Sequence, residues 1–181
     1  MQRRKFTGVL FATPWLAQAQ TDALALRLRA GGCAVLLRHA QTDSGIGDPP
    51  GFQLGQCSTQ RNLSAEGRAQ AERIGKWFES RGLEPSAVQS SAWCRCKDTA
   101  DLSFGRHVVW PALNSFFGEY STRDAQTAQL RAALKGIPAG KFEVWVTHQV
   151  NMTALTGESM VMGEALVVDI TGKVVARSTF A

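Results

Sequence analysis

Hydrophobic residues along the chain follow two periodicities, one typical of buried strands and one typical of amphipathic helices. The unbroken apolar run from Ala34 to Leu37 is typical of a strand that is covered on both faces. Ala71, Ile74, Trp77 and Phe78 instead recur at the spacing of one helix face. The patterns predict strands near 33–37, 87–91, 108–110, 142–147, 165–170 and 173–177, and helices near 22–31, 64–81, 93–102 and 124–135, with another starting after 148.

Strands that alternate with helices indicate an α/β fold whose central sheet is mostly parallel, with helices on both faces. We therefore expect a three-layer sandwich that ends in a hairpin turning at Thr171-Gly172. Residues 20–181 are expected to form a single domain. Residues 43–61 are rich in Gly and Pro and are long for a connection in a compact domain. Because they leave the first strand directly, we expect them to form a wall or lid beside the end of that strand.

Charged and imidazole side chains follow three of the predicted strands near the point where each ends. Arg38 and His39 come after the first strand, and His148 comes after the strand that ends at 147. Arg95 lies one helical turn beyond the second strand. The carboxyl ends of neighbouring parallel strands share one edge of a sheet, where ligands bind. Two guanidinium groups and two imidazoles are therefore expected to converge at this edge, although Arg38-His39 alone could be an ordinary solvated strand end.

A second Arg-His pair, Arg106-His107, precedes its strand instead of following it. In a parallel sheet this places the pair at the opposite edge. We therefore expect His107 to lie on the surface, and we exclude it from the site.

Two arginines and two histidines around one pocket suit a phosphoryl group. Arginine offers a planar fork of permanent donors that matches phosphate oxygens. A neutral histidine can attack phosphorus when its other ring nitrogen is held as a donor. The remaining cationic groups would stabilise the charge that develops during in-line transfer.

The first residues have the three regions of a secretory signal peptide. Arg3, Arg4 and Lys5 give a positive start, a mostly apolar run follows, and Ala17-Gln18-Ala19 supplies small residues for cleavage. We predict that residues 1–19 are a signal peptide and that the mature chain is periplasmic or secreted, with no stable membrane insertion. An N-terminal amphipathic helix is the alternative. The paired arginines also leave the twin-arginine and the general export routes open.

Loss of residues 1–19 would lower the formal net charge from +5 to +2, because Arg3, Arg4 and Lys5 are the only charged residues in that segment. A nearly balanced mature chain has no electrostatic footprint for nucleic acid, and we predict no nucleic-acid partner.

An exported chain would expose its four cysteines to an oxidising compartment, which makes a disulfide plausible. We expect Cys57 to pair with Cys94 or Cys96, and Cys33 to pack as a small apolar residue in its strand. A zinc site is the rival interpretation. It is disfavoured because Cys94-x-Cys96 lacks the usual two-residue gap between ligands and has no neighbouring histidine.

Four motifs, in this order, resemble those of the histidine phosphatase superfamily, branch 1 type, with its phosphoglycerate mutase-like fold. They are LRHAQT at 37–42, LSAEGRAQA at 63–71, VQSSAWCRCKDTA at 88–100 and VTH at 146–148. The resemblance covers about residues 33–150. It implies that His39 is the nucleophile that forms a phosphohistidine, and that Arg38, Arg95 and His148 bind and stabilise the phosphoryl group. Thr42 would line the pocket, and members of this type need no metal or other cofactor.

The chain also departs from the pattern of this family. Ala40 replaces a glycine, and Gln149 stands where the acid phosphatase and phytase branch has aspartate. Leu113-Asn114-Ser115 lacks the glutamate that protonates the leaving group in many members. Glu119 is a substitute if its loop folds inward. Without an acid, leaving groups that need no proton are favoured, such as those of phosphohistidine and acyl phosphates.

The sequence therefore predicts an exported, metal-independent phosphohydrolase that acts on a phosphorylated small molecule or a phosphoprotein. The alternative is a catalytically inactive protein that binds a phosphate ligand with the same fold. The missing acid supports this alternative, whereas the retention of all four phosphate-pocket residues favours the enzyme. A glycolytic mutase is disfavoured by export and by the missing carboxyl group.

Overall fold

The computed structural model describes residues 23–180, so the predicted signal segment 1–19 lies outside the described residues. The chain is helical over residues 23–30, which we name α1. The elements that follow are β1 (Cys33–Arg38), α2 (Ala65–Glu79), β2 (Ala87–Ser90), α3 (Cys94–Phe104), β3 (Val108–Val109), α4 (Arg123–Leu134), β4 (Phe142–Thr147), α5 (Gln149–Thr156), β5 (Ala165–Asp169) and β6 (Val174–Ser178). None of the helices in this part of the chain is long and apolar enough to cross a bilayer.

The six strands form one sheet in the order β3-β2-β4-β1-β5-β6. β1, β2 and β3 run in the same direction as β4, with which β1 and β2 both pair. β5 is antiparallel to both β1 and β6. The sheet is therefore mostly parallel and ends in the predicted hairpin. β3 is an exposed edge strand of two residues that ends before Trp110, so it is shorter than the predicted strand 108–110.

Each face of the sheet packs against its own set of helices. Val35 and Leu37 of β1 belong to one core with the apolar residues of α1, α2 and α3. Ala34 and Leu36 alternate with them and belong to a second core with α4 and α5. A strand that points apolar side chains to both faces must be covered on both faces. This confirms the predicted three-layer sandwich.

A disulfide joins Cys57 to Cys94. It links the long loop 43–61 to the first residue of α3, so it resolves the choice between Cys94 and Cys96. Cys33 and Cys96 are free and buried. The loop is thus attached covalently next to Arg95.

Candidate active site

The register of the parallel strands places three chain segments side by side at one edge of the sheet. Arg38, the last residue of β1, lies opposite Thr147, the last residue of β4. Ser90 at the end of β2 lies opposite Val146. The next residue of each strand, His39, His148 or Ser91, therefore emerges at nearly the same level. The rings of His39 and His148 meet edge to face with their centroids 5.5 Å apart.

His39 is held as a neutral imidazole with one free nitrogen. Its Nδ1 lies 2.9 Å from the carbonyl oxygen of Ala40, which only accepts hydrogen bonds, so Nδ1 carries the proton. Nε2 is then the nitrogen with the lone pair. Burial, together with the charges of Arg95, Arg38 and Arg61, lowers the pKa of His39 to about 3. The ring is therefore available as a nucleophile over the whole physiological pH range.

His148 is buried and contacts residues at and just before the start of α3. Its Nε2 is 2.8 Å from the hydroxyl of Ser91 and 3.4 Å from the sulfur of Cys96. Its ring also packs edge to face with the Trp93 ring, with 5.2 Å between centroids. Burial lowers the pKa of His148 well below its usual value, and the positive groups around it act in the same direction. An anion bound beside this ring would favour its protonated form.

Arg38 reaches from the end of β1 to the start of α5 and the loop that precedes β5. Its Nη1 donates to the carbonyl oxygen of Met160 at 2.6 Å and to Oε1 of Gln149 at 3.2 Å. These contacts fix the guanidinium at the rim of the site. Gln149 is the residue that stands where the acid phosphatase branch has aspartate, and here its side chain accepts a hydrogen bond from Arg38.

Arg95 is paired with a carboxylate from the long loop. Its Nη1 donates to Oδ1 of Asp48 at 2.6 Å and its Nη2 donates to Oδ2 at 3.2 Å. The side chains are only 4% and 6% exposed. The pair therefore lies inside the protein, where a permanent charge is costly to leave without a partner.

Arg61 adds a third guanidinium to the site. Its Nη1 donates to the carbonyl oxygen of Gly45 at 2.7 Å, which folds the side chain back onto loop 43–61. Its charge contributes to the lowered pKa values of His39, His148 and Arg38. The site thus gathers three positive side chains against one carboxylate, that of Asp48.

The three arginines share a further property. The Nε atoms of Arg38, Arg61 and Arg95 are buried and have no hydrogen-bond partner among residues 23–180. A buried donor without a partner costs about 1–3 kcal/mol. Three such donors around two neutral histidines are suited to a ligand that carries several anionic oxygens.

This geometry agrees with a sequence comparison. The family model of the histidine phosphatase superfamily (branch 1) matches residues 34–178. The chain belongs to this superfamily. No curated protein matches the chain.

Solved structures of other histidine phosphatase-fold proteins are similar to this chain at low sequence identity. SixA from Agrobacterium tumefaciens is 21% identical, with a TM-score of 0.56, and the match covers 81% of this chain and 97% of that one. The protein histidine phosphatase SixA complexed with tungstate is 15% identical, with a TM-score of 0.52 and coverages of 80% and 95%. A mycobacterial glucosyl-3-phosphoglycerate phosphatase is 20% identical, with a TM-score of 0.53 and coverages of 76% and 89%. At these identities, the likeness shows the shared fold.

Other residues of the superfamily motifs, outside the two arginines and two histidines, support the backbone after β1. Thr99 of α3 accepts a hydrogen bond from the backbone N–H of Ala40 at 3.0 Å. Gln70 of α2 accepts from the N–H of Gln41 and donates to the carbonyl oxygen of Met162. Gly67 is required because a Cβ there would lie 1.8 Å from the Gln41 carbonyl oxygen. These contacts hold the peptide that follows His39.

Ala40, the residue that replaces the family glycine, fits without strain. It is fully buried and packs with Leu63 and Ala71. Its methyl group therefore fills space beside α2 and does not enter the site.

Two of the predicted site residues make contacts elsewhere. The Thr42 hydroxyl donates to the sulfur of Met162 at 3.6 Å, so it faces the loop before β5. Glu119 is exposed next to the turn Tyr120–Thr122, and its carboxylate accepts from the Ser121 hydroxyl at 2.6 Å. This hydrogen bond lowers the pKa of Glu119, which keeps the group ionised. The expectation that Glu119 folds inward as a general acid therefore gains no support from its position.

Two backbone N–H groups at the entry to α3, one before the helix and one on its first residue, already have hydrogen-bond partners. The N–H of Ala92 donates to Oδ1 of Asn114 at 2.8 Å, and the N–H of Cys94 donates to Oε1 of Gln60 at 3.0 Å. Asn114 belongs to the segment that lacks the family glutamate, and it orders the backbone instead. Neither of these N–H groups is free for an anion, whereas the arginine side chains of the site are well matched to one.

Within residues 23–180, no group of three or more His, Cys, Asp or Glu side chains is arranged to hold a metal ion.

Sequence reasoning missed Asp48 and Arg61. Both lie in loop 43–61, which was expected to form a wall of the site, but no periodic pattern or spacing links them to Arg95. Arg61 is two residues before the second motif, and that closeness was the one available signal. Asp48 lies within a Gly-Asp-Pro-Pro-Gly turn, where aspartate is common for local reasons.

Proposed function

We propose that the protein is an exported, metal-independent phosphohydrolase that acts through a phosphohistidine on His39. The observation that carries this proposal is the state of His39, which is neutral, fixed through Nδ1 and surrounded by three guanidinium groups. A cationic site normally attracts anions but also keeps a nearby histidine deprotonated. A histidine that attacks phosphorus must be deprotonated, and its site must bind the anionic phosphoryl group.

In the first step, the lone pair of His39 Nε2 attacks phosphorus as the bond to the leaving group breaks. The leaving atom keeps the electron pair of that bond. The Nδ1–H bond to Ala40 remains and stabilises the positive charge that develops on the ring. Arg38, Arg61 and Arg95 stabilise the equatorial oxygens of the transferring group.

In the second step, a water molecule attacks the phosphorus of phosphohistidine from the side opposite His39. A new P–O bond forms, the P–N bond breaks, and the electron pair returns to Nε2. One proton of the water passes to a phosphate oxygen or to the bulk solvent. Inorganic phosphate departs, and the neutral imidazole is regenerated.

The site favours leaving groups that depart without a proton. Leu113-Asn114-Ser115 lacks the usual carboxyl group, and Glu119 is exposed and ionised. An acyl phosphate releases a carboxylate, and a phosphohistidine whose second ring nitrogen is protonated releases a neutral imidazole. The fold shared with the protein histidine phosphatase SixA supports the second class. We infer that such phosphoric anhydrides or phosphoramidates are preferred over alkyl phosphates.

Export is supported by the composition of residues 1–19 and by the Cys57–Cys94 disulfide. Disulfides persist in oxidising compartments and are rare in the cytosol. These two features together support a periplasmic or secreted location.

The test compares the wild type with His39→Gln, using His107→Gln as the matched control. Phosphate release is followed from a nitrophenyl phosphate, from free phosphohistidine and from an alkyl phosphate, with chelator present. We expect turnover of the first two substrates, with a loss of about 10⁴-fold or more in His39→Gln and none in His107→Gln. A folded wild type that binds phosphate without any turnover would instead favour the inactive phosphate-binding alternative.

A further inference from the structure

Asp48 is a buried carboxylate on a mostly exposed loop. Its two oxygens accept four hydrogen bonds: two from the Arg95 guanidinium, one from the Trp93 indole N–H at 2.9 Å and one from the Arg61 backbone N–H at 3.0 Å. Burial would raise the pKa of Asp48, but these bonds and the charge of Arg95 outweigh it and lower the pKa. The carboxylate is therefore ionised and fully engaged.

The way Asp48 holds Arg95 leaves one edge of the guanidinium free. Asp48 takes the edge formed by Nη1 and Nη2, and the second proton of Nη1 points to the carbonyl oxygen of Arg61 at 3.3 Å. The remaining protons, on Nε and on the outer side of Nη2, lie parallel on the adjacent edge. Nε is buried and has no partner in the described part of the chain. Two parallel donors match two oxygens of one phosphoryl group.

We propose that Asp48 is a positioning residue that fixes the guanidinium of Arg95 so that its Nε–Nη2 edge receives the phosphoryl group. This inference rests on the proposed function, because it assigns Asp48 a role in the same reaction. The binding of substrate then adds oxygens to the free edge, and the Asp48–Arg95 pair stays intact.

Displacement of Asp48 by substrate is the competing account of the same contacts. It would leave a buried carboxylate without Arg95, and the loss of one partner from a buried pair is strongly destabilising. The Cys57–Cys94 bridge also holds the loop against α3. The charge balance favours retention as well, because three arginines and one carboxylate leave a net charge of +2 for a phosphoryl dianion.

The first experiment uses Asp48→Asn in the full chain, with Asp98→Asn as the control. Asp98 lies on α3, the helix that carries Arg95, but it pairs with Arg68 at the surface. For Asp48→Asn, we expect kcat with nitrophenyl phosphate to fall about 100-fold, as when one fixed donor to a developing charge is lost. We also expect inorganic phosphate to raise the Tm of this variant more than that of the wild type, because the site has gained one net positive charge.

If Asp48 had a merely structural role, Asp48→Asn would lower kcat and weaken phosphate binding together, and that result would overturn the proposal. An unchanged or increased kcat/KM in Asp48→Asn would overturn it as well, since it would show that Asp48 is a bystander or a competitor of substrate. Asp98→Asn should behave as the wild type in both measurements.

A second experiment needs no variant and so does not depend on the folding of Asp48→Asn. In the isotope-labelled wild type, inorganic phosphate should shift the NMR signal of the Arg95 Nε–H and leave the carboxylate carbon signal of Asp48 in place. Movement of the Asp48 signal to that of a solvated carboxylate would contradict the proposal. A wild type without turnover would refute the proposed function alone, because the phosphate titration would still decide where Arg95 binds the anion.

Discussion

The chain contains the dipeptide Arg-His twice, and the two copies have different surroundings. His39 is buried to 3% exposure, and its Nδ1 faces a backbone carbonyl. His107 is partly exposed, and its Nδ1 lies 2.6 Å from the Asp101 carboxylate. Arg106 likewise reaches the surface residue Glu84 and the carbonyl oxygen of Pro85. The same two residues therefore lie in a buried cluster of arginines and histidines in one place and in a surface hydrogen-bond cluster in the other.

Strand direction accounts for this difference. Arg38-His39 follows β1, and its neighbours at that edge are the ends of β2 and β4. Arg106-His107 precedes β3, so it lies at the opposite edge of the parallel part of the sheet. The neighbouring strand ends thus determine the surroundings of a short motif. The same two residues at the other edge of the sheet lack those neighbours.

The largest effect outside His39 itself is expected at Arg38. Arg38→Ala removes a guanidinium from the phosphoryl group and should lower kcat/KM by about 10²–10³-fold. Arg106→Ala removes the same side chain from the other copy, where it makes only surface contacts, and should leave kcat/KM unchanged. Steady-state kinetics with nitrophenyl phosphate, on variants shown to be folded, measures both. Equal losses of kcat/KM in the two variants would show that the two Arg-His pairs do not differ in function.

A smaller effect concerns stability at acid pH. The pKa of His39 is about 3 in the folded protein and near 6.5 in the unfolded chain, so between these values only the unfolded state binds the proton. Stability is therefore lost as the pH falls from about 6.5 towards 3, by about 1.4 kcal/mol per pH unit for this histidine. His148, whose pKa is also lowered, adds to the loss with the same sign.

Urea unfolding of the wild type and His39→Gln between about pH 4 and pH 6 measures this contribution. The free energy of unfolding of His39→Gln should depend less steeply on pH, because one buried neutral histidine has been removed. Identical slopes in the two proteins would show that His39 is protonated in the folded state.

Most of the scaffold could be predicted from the sequence because its signals are local. The apolar run of β1, the helical spacing in α2 and the N-cap Ser64, whose hydroxyl accepts from the Gly67 N–H, each act within a few residues. The convergence of Arg38, His39 and His148 also follows from strand order alone.

The loop contacts could not be predicted in the same way. Asp48 reaches Arg95 across 47 positions of sequence through a loop without periodicity. The orientation of Glu119 depends on a turn whose local partner is Ser121, and nothing in its spacing distinguishes an inward from an outward carboxylate. The pairing of Cys57 with Cys94 instead of Cys96 depends on which residue of the first turn of α3 faces the loop.

The most direct test of the account is to identify the histidine that becomes phosphorylated during turnover. The full chain is mixed with a labelled aryl phosphate, quenched without acid, and digested for mass spectrometry. We expect a transient phosphate on the peptide that contains Arg38-His39 and none on the peptide that contains Arg106-His107. Turnover without label on His39, or with label on His107, would contradict the assignment of the nucleophile.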